Sequence, residues 1–295
     1  MRRTNVCLII VFLFFLVFSS IFCLAQTTTT ATCTDWQFFT TFTPSGINVS
    51  NTVVGSGQQS DGSIAGYIRY SDGETRKYVD PHAAPPTDWT YFNKINAGGV
   101  TVGWYRDANQ SAHGLLFSGS SFATWDYPGG GETILTGINK QNTIIGYWGG
   151  DFSQPYDGFE SWANGSTLII SAPGAMQTTP GAISDTGLVV GYYVPDQSQP
   201  PYPDRGFVLT VSGAYKTLDY PGADRTFLND VNSAGVIAGS WTNTTTGATG
   251  GFLFVNGTFE DVLGPNGEAT TLNGINDAGY VTGAIPGSSF TAQCH

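Results

Sequence analysis

Along most of the chain, short β-branched and aromatic runs alternate with turns that carry glycine or asparagine, and one phrase returns six times. It begins with an aliphatic residue, namely Ile47, Ile95, Ile138, Ile183, Val231 or Ile275. A polar turn and a β-branched run follow, and eight residues on stands Gly55, Gly103, Gly146, Gly191, Gly239 or Gly283. The aliphatic residues are 48, 43, 45, 48 and 44 positions apart. A period of this length is that of a small antiparallel unit that cannot bury its own faces and must stack on copies of itself. After Pro44 no stretch free of Gly and Pro exceeds twelve residues and none has a 3.6-residue period, which leaves almost no room for helices.

The turn explains itself chemically. The residue after each aliphatic is Asn48, Asn96, Asn139, Ser184, Asn232 or Asn276, whose side chains can hold the start of a type I turn. Three residues later comes Asn51, Gly99, Asn142, Gly187, Gly235 or Gly279, the two residue types that accept positive φ in a hairpin closed by a type I turn and bulge. The run ending in the recurrent glycine is a second strand, and that glycine suits a strand closely approached by neighbouring backbone. A third strand is predicted at Gly66–Tyr70, Gly114–Phe117, Gly158–Phe159, Gly206–Leu209 and Gly251–Phe254. A fourth runs through Phe122–Asp126 and Tyr215–Asp219, with looser versions at 76–80, 166–171 and 258–262.

Four short antiparallel strands per unit make the blade of a β-propeller, and six blades are expected, with five or seven as alternatives. A β-solenoid would use shorter coils without these hairpins and ranks second. Only five complete sets of four strands exist, and after Gly283 there is room for one more strand near Phe290. The strand-forming run Asp35–Phe42 can supply the missing outer strand, so both termini would share the last blade.

Residues 1–25 have Arg2 and Arg3 before an apolar run from Val6 to Phe22, and Cys23-Leu24-Ala25 offers a signal-peptidase site. The chain is therefore expected to be exported, to the periplasm, the cell surface or the medium, and free of the membrane once the signal is removed. Residues 26–34 would be a polar tail, disordered over Thr27 to Thr30, and 35–295 the repeat domain. Removal of the signal leaves Cys33 and Cys294, one near each end, which reads as one disulfide in an oxidising compartment. It also moves the formal charge from −11 to −13 by discarding two arginines. So acidic a surface argues against nucleic acid and anionic membranes.

The segments Gly137-Ile138-Asn139, Gly274-Ile275-Asn276-Asp277-Ala278-Gly279, His113-Gly114-Leu115-Leu116-Phe117 and Leu218-Asp219-Tyr220-Pro221-Gly222-Ala223 resemble the HAF family of bacterial extracellular repeats. The resemblance spans residues 46 to 285 and implies an exported repeat protein without an agreed activity. The family's histidine is kept only at His113, with Asp157, Arg205 and Gly250 in the matching places, so a repeated histidine site is not expected.

His82, His113 and His295 fall in different repeats at unrelated positions, and no nucleophile elbow, phosphate loop or metal-ligand spacing occurs. Neither a metal nor a cofactor is expected. Asp126 and Asp219, before Tyr-Pro-Gly, are expected to cap turns through their own backbone. The aromatic set stands out. Directly after the recurrent glycine come Trp104-Tyr105, Tyr147-Trp148, Tyr192-Tyr193 and Ser240-Trp241. Because successive strand residues face opposite sides, one of each pair should pack between blades while its neighbour faces outward, where flat rings can stack on sugars.

The expectation is a monomeric, non-catalytic binding or surface-interaction propeller whose partner is a polysaccharide or a cell-surface protein. Its candidate ligand-binding residues are Trp104, Tyr105, Tyr147, Trp148, Tyr192, Tyr193 and Trp241. The alternatives are a carbohydrate-active hydrolase or lyase on the same scaffold and a structural protein of the cell envelope.

Overall fold

The computed structural model describes residues 28–150, 156–195 and 203–295, so the expected signal segment lies outside the described residues. Every regular element among them is a strand, and no helix is long and apolar enough to cross a membrane. The strands form six sheets arranged as the blades of a propeller, each with four antiparallel strands and one of them with a fifth at its edge. Blades 1 to 4 span residues 43–78, 90–125, 132–170 and 175–217, and blade 5 spans 225–262. Blade 6 takes three strands from 271–294 and its outer strand, Cys33–Phe39, from the other end of the chain. Cys33 and Cys294 face each other in that pairing and are joined by a disulfide across 261 residues of sequence.

The polar tail departs from expectation. Thr28–Thr30 forms a fifth strand of blade 5, parallel to Thr258–Val262, with Thr28 opposite Phe259. The fourth strand of the blade offers unpaired backbone groups, and three threonines, which favour extended backbone, satisfy part of that edge.

The six innermost strands are Thr43–Ile47, Thr90–Ile95, Glu132–Ile138, Ala175–Ile183, Arg225–Val231 and Thr271–Ile275. Each touches the next around the axis, and the last touches the first. Each also carries a bulge at one matching place, which leaves Ser45, Asn93, Thr136, Gly181, Asn229 or Asn273 as the extra residue, and Ala175–Ile183 has a second irregularity between Ala175 and Gln177. The bulge drives inner-strand backbone against the second strand. A side chain at Gly55, Gly103, Gly146, Gly191, Gly239 or Gly283 would strike the carbonyl oxygen of Thr43, Tyr91, Ile134, Thr179, Phe227 or Thr271. That is why glycine recurs there.

The turn chemistry is as expected, with positive φ at Asn51, Gly99, Asn142, Gly187, Gly235 and Gly279. Asn48 Oδ1 accepts the amides of Ser50 and Thr52, and its relatives act alike. The asparagine side chains also link blades. Nδ2 of Asn48 donates to Asn96 O, Asn96 to Asn139 O, Asn139 to Ser184 O, Asn232 to Asn276 O and Asn276 to Asn48 O.

Stacking of blades accounts for the glycine-hydrophobe pair of the third strands. Leu115, Phe159, Phe207 and Phe252 are buried between sheets. The glycine before each makes room for Leu135, Pro180, Leu228 or Leu272 on the inner strand of the following blade. The core is accordingly a ring of clusters at the seams between blades.

Candidate functional site

The bulged residues and the residues after the recurrent glycine meet around a cavity of about 300 Å³ at one mouth of the central channel. At its rim each blade contributes one cross-strand pair. In blades 1 to 6 these are Thr43 and Ser56, Tyr91 and Trp104, Ile134 and Tyr147, Thr179 and Tyr192, Phe227 and Ser240, and Thr271 and Ala284. Blades 2 to 5 therefore raise an aromatic arc, whereas blades 6 and 1 present small residues.

The arc is internally braced. Trp104 stacks on Tyr91 with ring centroids 4.3 Å apart, and Trp89 meets it edge-on at 6.2 Å. Tyr147 stacks on Tyr156 at 4.7 Å, and the Tyr156 hydroxyl lies 3.0 Å from Thr179 Oγ1. Tyr192 packs edge-on to Phe227 at 5.0 Å. Burial pushes the Tyr192 phenol up to about 12 and raises Tyr147 in the same direction, so both stay neutral hydroxyl groups at physiological pH.

The floor has a distinct chemistry. Nδ2 of Asn93 donates to Leu135 O at 2.7 Å, that of Asn229 to Leu272 O at 2.8 Å, and that of Asn273 to Pro44 O at 2.8 Å. Ser45 Oγ donates to Phe92 O and Thr136 Oγ1 to Pro180 O. Asn229 Nδ2 also donates to Ser240 Oγ at 3.3 Å, Asn93 and Asn273 each keep a second Nδ2 hydrogen, and no donor among the described residues reaches Oδ1 of Asn93, Asn229 or Asn273. The floor thus offers amide groups that can accept and donate hydrogen bonds.

Below it Lys94 crosses the axis from blade 2. Its Nζ lies 3.0 Å from Asp230 Oδ2 of blade 5 and donates to Ser45 O at 2.8 Å and Asn273 O at 2.6 Å. Asp230 also accepts the amides of Val231 and Ile275. Burial pulls the ammonium down and pushes the carboxyl up, while three acceptors around Nζ and three donors on the carboxylate oppose both shifts. The pair separates the cavity from a smaller one of about 70 Å³ at the opposite, turn-bearing mouth. The larger cavity is consequently a blind pocket.

Three of the seven expected ligand-binding residues, Trp104, Tyr147 and Tyr192, line this cavity. The other four turn to the opposite face of the strand and pack between sheets. Trp148 stacks on Tyr127 at 4.4 Å and Trp241 on Tyr220 at 4.7 Å. The hydroxyls of Tyr105 and Tyr193 lie 2.9 and 3.1 Å from Thr124 and Thr217. The tyrosine of each Tyr-Pro-Gly is thus a docking ring for the tryptophan of the next blade.

The aspartates before that motif do not cap their own turn. Asp126 lies 2.8 Å from His113 Nδ1 and accepts the Gly114 amide, and Asp219 pairs with Arg205 at 2.5 Å, so each braces the neighbouring third strand. His82 and His113, unrelated in the repeat, both flank Tyr105, with centroids 5.9 and 5.3 Å away, outside the cavity. Among the described residues no group of His, Cys, Asp and Glu has the geometry to hold a metal ion.

Lys94 and Asp230 were missed by the sequence reading, although a signal existed. The residue before each recurrent aliphatic is Gly46, Lys94, Gly137, Ala182, Asp230 or Gly274, small in four repeats and oppositely charged in repeats 2 and 5. Three repeats apart in a ring of six is directly across the axis.

No family model and no curated protein matches the chain. Solved structures match its fold. A putative TolB from Agrobacterium tumefaciens superposes with a TM-score of 0.55 at 12% identity, over 89% of this chain and 91% of that one. A gluconolactonase from Xanthomonas campestris gives 0.54 at 10% identity, over 92% and 98%. At such identities the likeness extends to the propeller fold.

Proposed function

We propose that this protein is an exported, non-catalytic binding propeller whose blind cavity receives a neutral, hydroxyl-rich ligand, a sugar of a glycan. The observation that carries the reading is the pairing of an aromatic arc with a floor of uncharged asparagine amides. Flat rings cover the C–H face of a sugar, and amide and phenol groups that both accept and donate match its hydroxyls. The charged group in the lining is Lys94, whose three hydrogens are already bound, so no free charge invites an ionic ligand. The cavity is at the low end of the ~300–1,000 Å³ range of small-molecule sites, a size suited to a single ring. A disulfide joining the two ends of the chain fits an oxidising, extracytoplasmic destination.

The test is retention of purified mature protein on gels loaded with neutral polysaccharides. The parent should be retained, and Trp104→Ala and Tyr192→Ala should migrate freely while still melting cooperatively. Free migration of the parent on every gel would reject the reading.

A further inference from the structure

The cavity is walled unevenly, and the low part of its wall is continuous. Blades 6 and 1 are neighbours, and their rim pairs are Thr271 with Ala284 and Thr43 with Ser56. Both threonines are exposed. Above Ala284 the hairpin of blade 6 closes at once through Pro286-Gly287, since Ile285 already pairs with Ser288. In blade 5 the corresponding hairpin extends until Asn243 pairs with Ala248, and in blade 2 it runs on past Arg106 opposite Ala112. Small side chains and the short turn coincide at blade 6, so the wall there is low both in bulk and in height. Beneath the cavity the Lys94–Asp230 pair bars passage along the axis.

These two facts constrain any molecule larger than the cavity. It cannot thread the channel, and four blades of aromatic wall face it on the other sides. Where it spreads beyond the mouth, the lowest side of the wall is blade 6, beside the small rim residues of blade 1, whose own hairpin runs on to Gln58 opposite Ile64. Resting on the reading of the cavity as a glycan site, we infer that Thr271, Ala284, Thr43 and Ser56 form an outer subsite for the second and following residues of a sugar chain. The protein then recognises chain ends. The end residue sits against Trp104, Tyr147 and Tyr192, and the chain leaves over hydroxyl groups that can bond successive sugars without enclosing them. Contacts along several sugars would add to a weak grip on the first.

Raising the wall tests this. Ala284→Trp and Thr271→Trp would each place a ring where the chain leaves, and neither residue lines the cavity. The probes are cellohexaose, maltohexaose, xylohexaose and mannohexaose with glucose, xylose and mannose, measured by titration calorimetry alongside thermal melts. The parent should bind at least one hexaose about tenfold or more tighter than its monosaccharide. Either variant, melting like the parent, should bind that hexaose no tighter than the monosaccharide, whose own affinity should change less than about twofold. A hexaose bound no better than its monosaccharide by the parent overturns the outer subsite and leaves the cavity reading intact. So do folded variants that bind the hexaose as the parent does. If both variants fail to fold, the length dependence in the parent decides alone. Binding of no probe at all removes the glycan reading itself, and this inference with it.

Discussion

Lys94 of blade 2 and Asp230 of blade 5 meet on the propeller axis, Nζ to Oδ2 at 3.0 Å. The contact is possible because Gly46, Gly137, Ala182 and Gly274 hold the same place in the other four blades and leave the axis open. Through the carbonyls of Ser45 and Asn273 the lysine also engages blades 1 and 6. One strut therefore joins four inner strands and at the same time closes the channel. Its chemistry is structural and its consequence is functional, since the blind pocket above it exists only while the strut stands.

Removing one partner should be costly and removing both should not. Lys94→Met leaves a buried carboxylate without its cation and is expected to lower stability by ~3–5 kcal/mol. Lys94→Met with Asp230→Leu should recover most of that loss, because two apolar side chains avoid the desolvation of two charges. Urea denaturation of the three proteins checks the prediction. Equal losses in the single and double variants would mean that the pair contributes little beyond its volume.

Two hydrogen-bonded belts encircle the axis, and both lapse at the same seam. The turn belt lacks a link from Ser184 to blade 5, where serine is too short to reach Asn232 O, and its hydroxyl instead serves Leu188 N and Thr186. The bulge belt lacks a link from Gly181, which has no side chain to reach Leu228 O. Ser184→Asn should restore the turn link and raise stability by about 1 kcal/mol. Asn232→Ser, which removes the bond to Asn276 O, should lower it by a similar amount. Thermal melts of the two variants should move in opposite directions, and a downward shift for both would show that the seam is shaped around serine.

Much of this fold was legible in the sequence because it is periodic. The positive-φ turn residues, the glycine crowded by the bulge and the sharing of blade 6 all repeat or close a repeat, so a single physical reason covers six positions. The site is legible only where it breaks the period. Trp104, Tyr147 and Tyr192 were found because they stand beside a repeated glycine, but which member of each aromatic pair faces the cavity depends on the side of the sheet to which the bulge turns it. Lys94 and Asp230 escaped because their partnership exists only once the ring has closed with six members. Thr28–Thr30 escaped for a different reason: a polar tract carries no hydrophobic pattern, and its strand is dictated by the open edge of blade 5.

The tyrosines of the arc predict an alkaline limit to stability. Folded Tyr192 keeps its proton up to about 12, whereas an unfolded tyrosine releases it near 10.0. Between these values the unfolded chain binds fewer protons than the folded one, so stability falls as pH rises, by up to about 2–3 kcal/mol from this group. Tyr147 acts in the same direction. Below pH 10 neither contributes any slope. Tyr192→Phe should flatten the decline, as followed by denaturation at stepped pH together with tyrosinate absorbance. An unchanged slope would mean that the Tyr192 hydroxyl ionises freely in the folded protein.

The two classes of aromatic residue should respond differently to substitution. Trp148 lies between sheets, stacked on Tyr127 and packed against the cluster around Phe159. Trp148→Ala should therefore cost ~3–5 kcal/mol, as expected for a large ring removed from a core. Its indole N–H, like that of Trp241, has no hydrogen-bond partner among the described residues. The wedge accordingly works through shape, and Trp148→Phe should be mild, under ~1.5 kcal/mol, because the smaller ring keeps the stack and removes an unpaired donor. Trp104 lines the cavity, so Trp104→Ala should cost clearly less than Trp148→Ala although the same number of atoms is deleted. Guanidinium denaturation of the three variants gives the ordering. If Trp104→Ala proves as damaging as Trp148→Ala, the arc is part of the core, and the loss of glycan retention in that variant could not be assigned to the cavity surface.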